Sequence, residues 1–309
     1  MIIDMSILKS KPLVSVVMCS YNSCEYIAEA IKSILGQTYN NFEFIIWDDG
    51  STDSSREIID SFKDDRIRYF YHDNTGLGMA LRLACEQAQG KYIARMDADD
   101  ISFPDRIEKE VVFLEATPDS VLVSSAVRYI DENGIVTSRS FPYTSDRILK
   151  EALLIPSSFI VHPMVMMRND AYKEAGGYLP IRKSQDVLFW SRLAKQGKFY
   201  NIPTPLGKYR ILSTSLDHSY NPYSKVMASL LLKMVKDENV KDSDIELYNN
   251  IYLYSKQFKQ EVYIKHNKYS APSLEERVYN VIKFVAGEKL SERLVVGTKN
   301  VVYKCRHQV

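Results

Sequence analysis

The chain has 309 residues, 45% of them apolar and 26% charged, with a formal net charge of +1. That length and composition allow a sizeable core in one large domain, or a domain with an appendage, and argue against disorder. A balance this close to neutrality argues against a nucleic-acid binder.

The charge is unevenly spread: residues 219–309 hold 15 Lys or Arg against 10 Asp or Glu, and residues 1–218 hold 25 against 29. Cys19, Cys24, Cys85 and Cys305 match no zinc or redox spacing and read as reduced thiols of a cytoplasmic protein. The opening MIIDMSILKSKP lacks a basic region followed by an apolar run, so no signal peptide is expected. No stretch approaches the ~18 apolar residues of a membrane span.

In chain order, Leu13–Met18 is a β-rich run behind a proline, and it stops at a polar turn, Cys19 to Ser23. Residues 25–36 carry Tyr26, Ile27, Ala30, Ile31, Ile34 and Leu35 at helical spacing, and Gly36 is a fitting stop. Phe42–Trp47 is a second strand ending in Asp48-Asp49-Gly50-Ser51-Thr52-Asp53. Ser51, Thr52 and Asp53 are candidate caps for a helix over 55–62. A third strand at 67–71, a helix at 76–89 and a fourth strand at 92–96 lead into Asp97-Ala98-Asp99-Asp100. A helix over 104–116, a strand at 121–130, a hairpin turn at 132–134, a strand-like run at 160–167 and a helix at 186–196 follow. From about residue 220 the pattern is helical. Alternating strands and helices with short links imply βαβ units and a mostly parallel sheet covered on both faces.

Ligands of open α/β sheets bind beyond the carboxyl ends of the strands. Three polar clusters fall there: Ser20-Tyr21-Asn22, Asp48-Asp49-Gly50-Ser51 and Asp97-Ala98-Asp99-Asp100. Converging carboxylates repel, and a divalent cation with hard oxygen ligands, Mn2+ or Mg2+, is the natural compensator. One such cluster alone is more often a turn or a helix cap; all of them in this order is a stronger signal. A dinucleotide-dependent oxidoreductase is disfavoured, because the first turn has no glycine and Gly76-Leu77-Gly78 lacks the third one.

Over about residues 12–215 the chain resembles family 2 of the inverting glycosyltransferases, which have the GT-A fold. The resemblance rests on Val14 to Asn22, Asp48 to Asp53, Gly90 to Asp100, Pro104-Asp105-Arg106, His162-Pro163, Gly176-Gly177-Tyr178, Gln185-Asp186 before Phe189-Trp190, and Tyr209-Arg210. It implies a UDP-sugar donor and a glycan or lipid-linked saccharide acceptor in surface-polysaccharide assembly. Tyr21, with Ser20 and Asn22, would flank the nucleobase, Asp49 would accept from the uracil imide, and Asp97 would approach the ribose or sugar. Asp99 would hold the metal, and Asp186 would be the base that deprotonates the acceptor hydroxyl. Departures are Gln185 where the family has Glu, Cys19 where it often has Thr, and Arg82 where it often has Asn. Arg82 would lie near the diphosphate or on the helix surface.

Among further candidates, His162 is expected to shape the acceptor site, as the resemblance implies, or to cap a strand before Pro163, and Trp190 is expected in the core or beside the acceptor. Arg95 is expected to pair with a nearby carboxylate, and His218 would reach the metal from a loop. Residues 1–218 are thus expected to form the GT-A domain and 219–309 a helical extension. Its basic residues, from Lys283 to Arg306, suit either peripheral contact with the inner face of a membrane or a solvated helical cap. A non-catalytic nucleotide-sugar-binding protein is the alternative, and Asp49, Asp99 and Asp186 together speak against it.

Overall fold

Val14–Ser20 (β1), Phe42–Asp48 (β2) and Tyr92–Asp97 (β4) are runs of apolar residues buried on both sides, which only a sheet with two covered faces can accommodate. In the computed structural model, which describes residues 11–153, 159–212, 224–237 and 240–265, they are the centre of a nine-stranded sheet. With Ile67–Tyr71 (β3) they make a parallel half in the order β3-β2-β1-β4. Its crossover helices are Ile27–Leu35 (α1), Ser55–Ser61 (α2) and Leu77–Glu86 (α3). The other half is mixed. Ile101–Ser102 (β5) and Arg106–Ala116 (α4) precede the long strand Ser120–Ile130 (β6) and its hairpin partner Val136–Arg139 (β7). Asp146–Ala152 (α5), Met166–Arg168 (β8), Asn169–Glu174 (α6), Gln185–Leu193 (α7) and Lys198–Arg210 (β9) follow. β8 runs antiparallel between β4 and β6, and β9 runs parallel to β6.

Side chains alternate across the central strands. Val14, Val16, Met18, Phe44, Ile46, Ala94 and Met96 join Ile27, Ile31 and Ile34 of α1 and Ile107 and Val111 of α4 in one buried cluster. The alternate positions Val17, Ile45 and Ile93 are equally buried, and α3 packs against β1 and β2. Arg106 is fully buried, pairs with Glu110 at 3.1 Å and donates to the Arg95 carbonyl at 2.7 Å, so it fastens α4 to the strand that carries the acidic turn.

The helix over 55–62 forms, but its cap is not among Ser51, Thr52 and Asp53. Ser54 is the capping residue, and Asp53 contributes from outside by accepting from the Ser55 and Cys24 amides, both at 3.0 Å. Partial desolvation raises the Asp53 pKa, but those hydrogen bonds outweigh it and hold the group at about 2. The strand-like run at 160–167 is a single 3-10 turn, His162–Met164, ahead of the short β8. Pro163 has no N–H for a ladder and fixes its own φ, which suits the turn and interrupts the strand.

The chain divides into two compact units, Met1–His218 and Ser219–Val309. In the second unit, Ser224–Lys236 (α8) and Asp242–Lys265 (α9) are helices joined by an ion pair between Lys233 and Asp244 at 2.8 Å. Among the described residues no helix is long and apolar enough to cross a membrane. His218, the basic run from Lys283 to Arg306 and Cys305 lie outside the described residues.

Candidate active site

Strand register gathers the polar clusters. Ser20 lies opposite Asp48, and Cys19 lies between Trp47 and Asp97, so β1, β2 and β4 end at one level and their following turns meet. Asn22 adopts a left-handed conformation (φ 49°) that asparagine tolerates. Its amide donates to Ser51 Oγ at 2.8 Å and its Oδ1 accepts from the Thr52 amide at 2.8 Å, which staples the first turn to the second. Gly50 (φ 82°) has no room for a side chain, because a Cβ there would sit 2.8 Å from the Asn74 amide nitrogen. Tyr21 projects from this turn, 53% exposed.

Asp49 is almost fully buried and holds the turn after β3: Oδ1 accepts from the Thr75 amide and hydroxyl at 2.9 Å, and Oδ2 accepts from the Gly76 amide at 2.8 Å. A carboxylate has about four lone-pair sites, so Asp49 retains acceptor capacity while fixing this turn. Neighbouring Asp48 is spent on structure, accepting from the Ser51 amide and the Tyr69 hydroxyl.

At the end of β4, one carboxylate oxygen from each of Asp97, Asp99 and Asp100 lies within 4.8 Å of the others. Arg95, buried in the strand, donates from both terminal nitrogens to Asp97, the expected pairing with a nearby carboxylate. Burial and then the Asp97 charge push the Asp99 pKa up to about 6, and burial with both neighbours pushes Asp100 well above the usual carboxylate range. Asp100 Oδ1 accepts from the Arg210 amide at 2.8 Å, whereas Asp100 Oδ2 is buried with no hydrogen-bond partner among the described residues. An orphaned buried carboxylate oxygen beside two further carboxylates fits a hard divalent cation, Mg2+ or Mn2+. With Asp97 already engaged by Arg95, Asp99 and Asp100 are the residues best placed to hold it. The sequence singles out Asp99 alone; the run of Asp residues carries the signal for Asp100, but not which of them would be buried and unpaired.

Arg210 also escaped the sequence reading as a site residue. Its side chain is almost fully buried and donates to the Asp99 carbonyl (2.9 Å), Glu29 (2.8 Å) and the Asp131 and Glu132 carbonyls (3.2 and 3.1 Å). It thereby ties the acidic turn to α1 and to the β6–β7 turn.

The far wall comes from the segment before α7. Gly78 of α3 lies so close to residues 179–181 that a Cβ would meet the Ile181 carbonyl oxygen at 2.4 Å. Asp186 is half-buried in the first turn of α7, near the helix's positive end, close enough to Tyr178 for its charge to raise the phenol's pKa, after burial and other neighbours. The Tyr178 hydroxyl lies 2.9 Å from His162 Nε2. Burial and then the Arg95 cation hold the His162 pKa well below its ordinary value, so the ring is neutral at pH 7. For two candidates the structure decides between the two places expected of each. Trp190 is fully buried, edge-on to His162 at 5.5 Å, so it backs the wall and presents no platform to an acceptor. Arg82 pairs with Glu86 at 3.1 Å one turn along α3, with 40% of its side chain exposed, which is the surface position.

The chain is similar to several named proteins and solved structures. The chain is 35% identical over 211 residues to EpsE of Bacillus subtilis, a glycosyltransferase by name, covering 66% of this chain and 74% of EpsE. It is 32% identical over 297 residues to a protein of Haemophilus influenzae described as a glycosyltransferase, covering 85% and 89%. The fold matches Staphylococcus aureus TarS residues 1–349, crystallised with UDP-GlcNAc, with TM-score 0.62 at 16% identity over 88% of this chain and 81% of that one. It also matches the mannosyltransferase PcManGT of Pyrobaculum calidifontis, in complex with GDP-Man and Mn2+, with TM-score 0.53 at 16% identity over 95% and 88%. The protein is therefore a glycosyltransferase with the GT-A type of mixed α/β sheet. It belongs to Glycosyl transferase family 2, whose model matches residues 15–176.

Proposed function

We propose that the chain is a metal-dependent, inverting transferase that moves a sugar from a UDP-sugar to a hydroxyl of a glycan or lipid-linked saccharide in surface-polysaccharide assembly. The observation that carries this reading is the three-carboxylate turn with its buried, unpartnered Asp100 oxygen. The donor lies across the carboxyl ends of β1, β2 and β4. Tyr21 covers the base, Asp49 accepts from its imide edge while holding Thr75 and Gly76, and Asp97, oriented by Arg95, accepts from the ribose or sugar. Asp99 and Asp100 would hold Mn2+ or Mg2+. A cation there would offset the negative charge that grows on the leaving diphosphate.

Asp186 takes the proton from the acceptor hydroxyl as that oxygen attacks the anomeric carbon from the face opposite the diphosphate. One displacement inverts the configuration. His162, neutral and hydrogen-bonded to Tyr178, shapes the acceptor side and carries no proton in this scheme. TuaG of Bacillus subtilis, 30% identical over 226 residues, is named for teichuronic acid biosynthesis, which supports a polysaccharide acceptor. The basic balance of residues 219–309 supports a peripheral place at the cytoplasmic face of a membrane. The test is nucleotide release from a panel of UDP-sugars, with GDP-mannose alongside, in the presence of Mn2+. Release from a UDP-sugar is expected; release from GDP-mannose alone would reassign the base-recognition role of Asp49.

A further inference from the structure

The register of the mixed half-sheet puts three cations in one row. Arg139 of β7 lies opposite Arg128 of β6, and Arg128 lies opposite Lys208 of β9. Residues opposite one another on paired strands share a face of the sheet, about 4.8 Å apart per strand. The row therefore sets three positive charges within roughly 10 Å of backbone. Like charges placed directly opposite destabilise a sheet. Among the described residues no carboxylate is within ion-pair distance of Arg128, Arg139 or Lys208. Arg128 and Arg139 are exposed and rest on aromatic rings, Arg128 over Phe103 (5.5 Å) and Arg139 over Phe141 (4.5 Å).

The same hairpin and the strand end after it expose large apolar side chains: Ile135 (63%), Val136 (48%), Phe141 (76%) and Tyr143 (51%). Between Ile135 and Ser145 the only charged residue is Arg139. A soluble polyanion would account for the cations but would leave the apolar residues in water. A bilayer with anionic headgroups offers both, with phosphates for the guanidinium groups and the interfacial region for the aromatic and aliphatic side chains. The position is also apt. Arg210, two residues beyond Lys208, joins the hairpin turn at Asp131 and Glu132 to the Asp99 carbonyl, so this surface adjoins the acidic turn.

We propose that the β6–β7 hairpin and the adjoining end of β9 form a docking surface for an anionic membrane. Arg128, Arg139 and Lys208 bind headgroup phosphates, and Ile135, Val136 and Phe141 enter the interface. The contact belongs to the catalytic unit and is separate from any made by residues 219–309. Its readout needs no sugar donor, so it stands or falls apart from the transfer reaction.

The experiment is co-sedimentation of the full chain with vesicles of phosphatidylcholine alone or containing phosphatidylglycerol, for the parent and for Arg128→Gln/Arg139→Gln. A basic residue near an anionic surface contributes about 1 kcal/mol, roughly a fivefold change in partitioning. The double variant should bind the anionic vesicles about 30-fold less tightly, with its circular dichroism and donor cleavage in solution unchanged. Neutral vesicles should bind neither protein well. In a second arm, Phe141→Trp should show a blue-shifted emission on adding anionic vesicles, which locates the hairpin itself in the interface. Equal binding by parent and double variant, or no shift from Trp at 141 while the protein is bound, would overturn the proposal and assign binding to another part of the chain. No binding to anionic vesicles, or binding displaced onto a soluble anionic polysaccharide, would overturn it also.

Discussion

Replacing Asp100 with Asn separates what the buried carboxylate costs from what it does. The substitution keeps the shape, and the Asn carbonyl can still accept from the Arg210 amide, the contact Asp100 Oδ1 makes at 2.8 Å. It removes a carboxyl group that is raised well above its usual pKa by burial and by Asp97 and Asp99. Relief of that crowding should stabilise the metal-free protein. A gain of about 1 kcal/mol corresponds to roughly 2–4 °C in a domain of this size. The metal-bound state should respond in the opposite sense. A unit charge at about 4 Å in a protein-like dielectric of about 20 interacts by about 4 kcal/mol, so losing one ligand charge beside a divalent ion should weaken Mn2+ binding by at least about 100-fold. The assay is thermal denaturation in EDTA and in saturating Mn2+, with Mn2+ affinity by calorimetry. Asp100→Asn should melt higher than the parent in EDTA and gain much less from Mn2+. A variant that melts lower in EDTA and binds Mn2+ like the parent would refute a metal-holding role for Asp100.

Asp49→Ala should raise the donor KM with kcat little changed, because a contact to the base binds ground and transition states alike. It should also cost about 1–3 kcal/mol of stability, since the Thr75 and Gly76 amides lose their acceptor; a fall in kcat at constant KM would move Asp49 to the reacting centre. Asp186→Asn should lower transfer by about 10²–10⁴-fold while UDP affinity, measured separately, stays near the parent's; transfer at the parent rate would relocate the base. Burial, against the pull of Arg106, raises the Glu110 pKa from 4.5 to about 7. The folded protein therefore holds a proton that the unfolded chain releases above pH 4.5, and this group's contribution falls as pH rises from about 4.5 to about 7. At about 1.4 kcal/mol per pH unit the loss is at most about 3.5 kcal/mol. Glu110→Gln should flatten that part of the stability–pH curve, and an unchanged slope would show that Glu110 stays ionised in the fold.

How far the sequence carried this picture depended on the kind of signal. The central strands were legible because both faces are buried, so they read as unbroken apolar runs, and their polar ends marked the crevice. β9 was not read as a strand: Pro203 and Pro205 interrupt it, and its partners are 70 or more residues away along the chain. The short helices α5 and α6, at 7 and 6 residues, are too brief to show periodicity. Asp97, Asp99 and Asp100 were visible as a group, but which oxygen would be left unpartnered depends on Arg95 two residues back and Arg210 more than 100 residues on. Trp190 read as a possible platform because an aromatic after the base suits either place; only its packing against His162, Tyr178 and Phe189 decides it.

The most direct test of the central claim is donor cleavage measured against metal. With a UDP-sugar that the parent enzyme cleaves, UDP release should rise to saturation with Mn2+, stop in excess EDTA, and be lost in Asp99→Ala while its circular dichroism matches the parent's. Full release in excess EDTA, or an Asp99→Ala protein that cleaves the donor at the parent rate, would contradict a metal held at the end of β4.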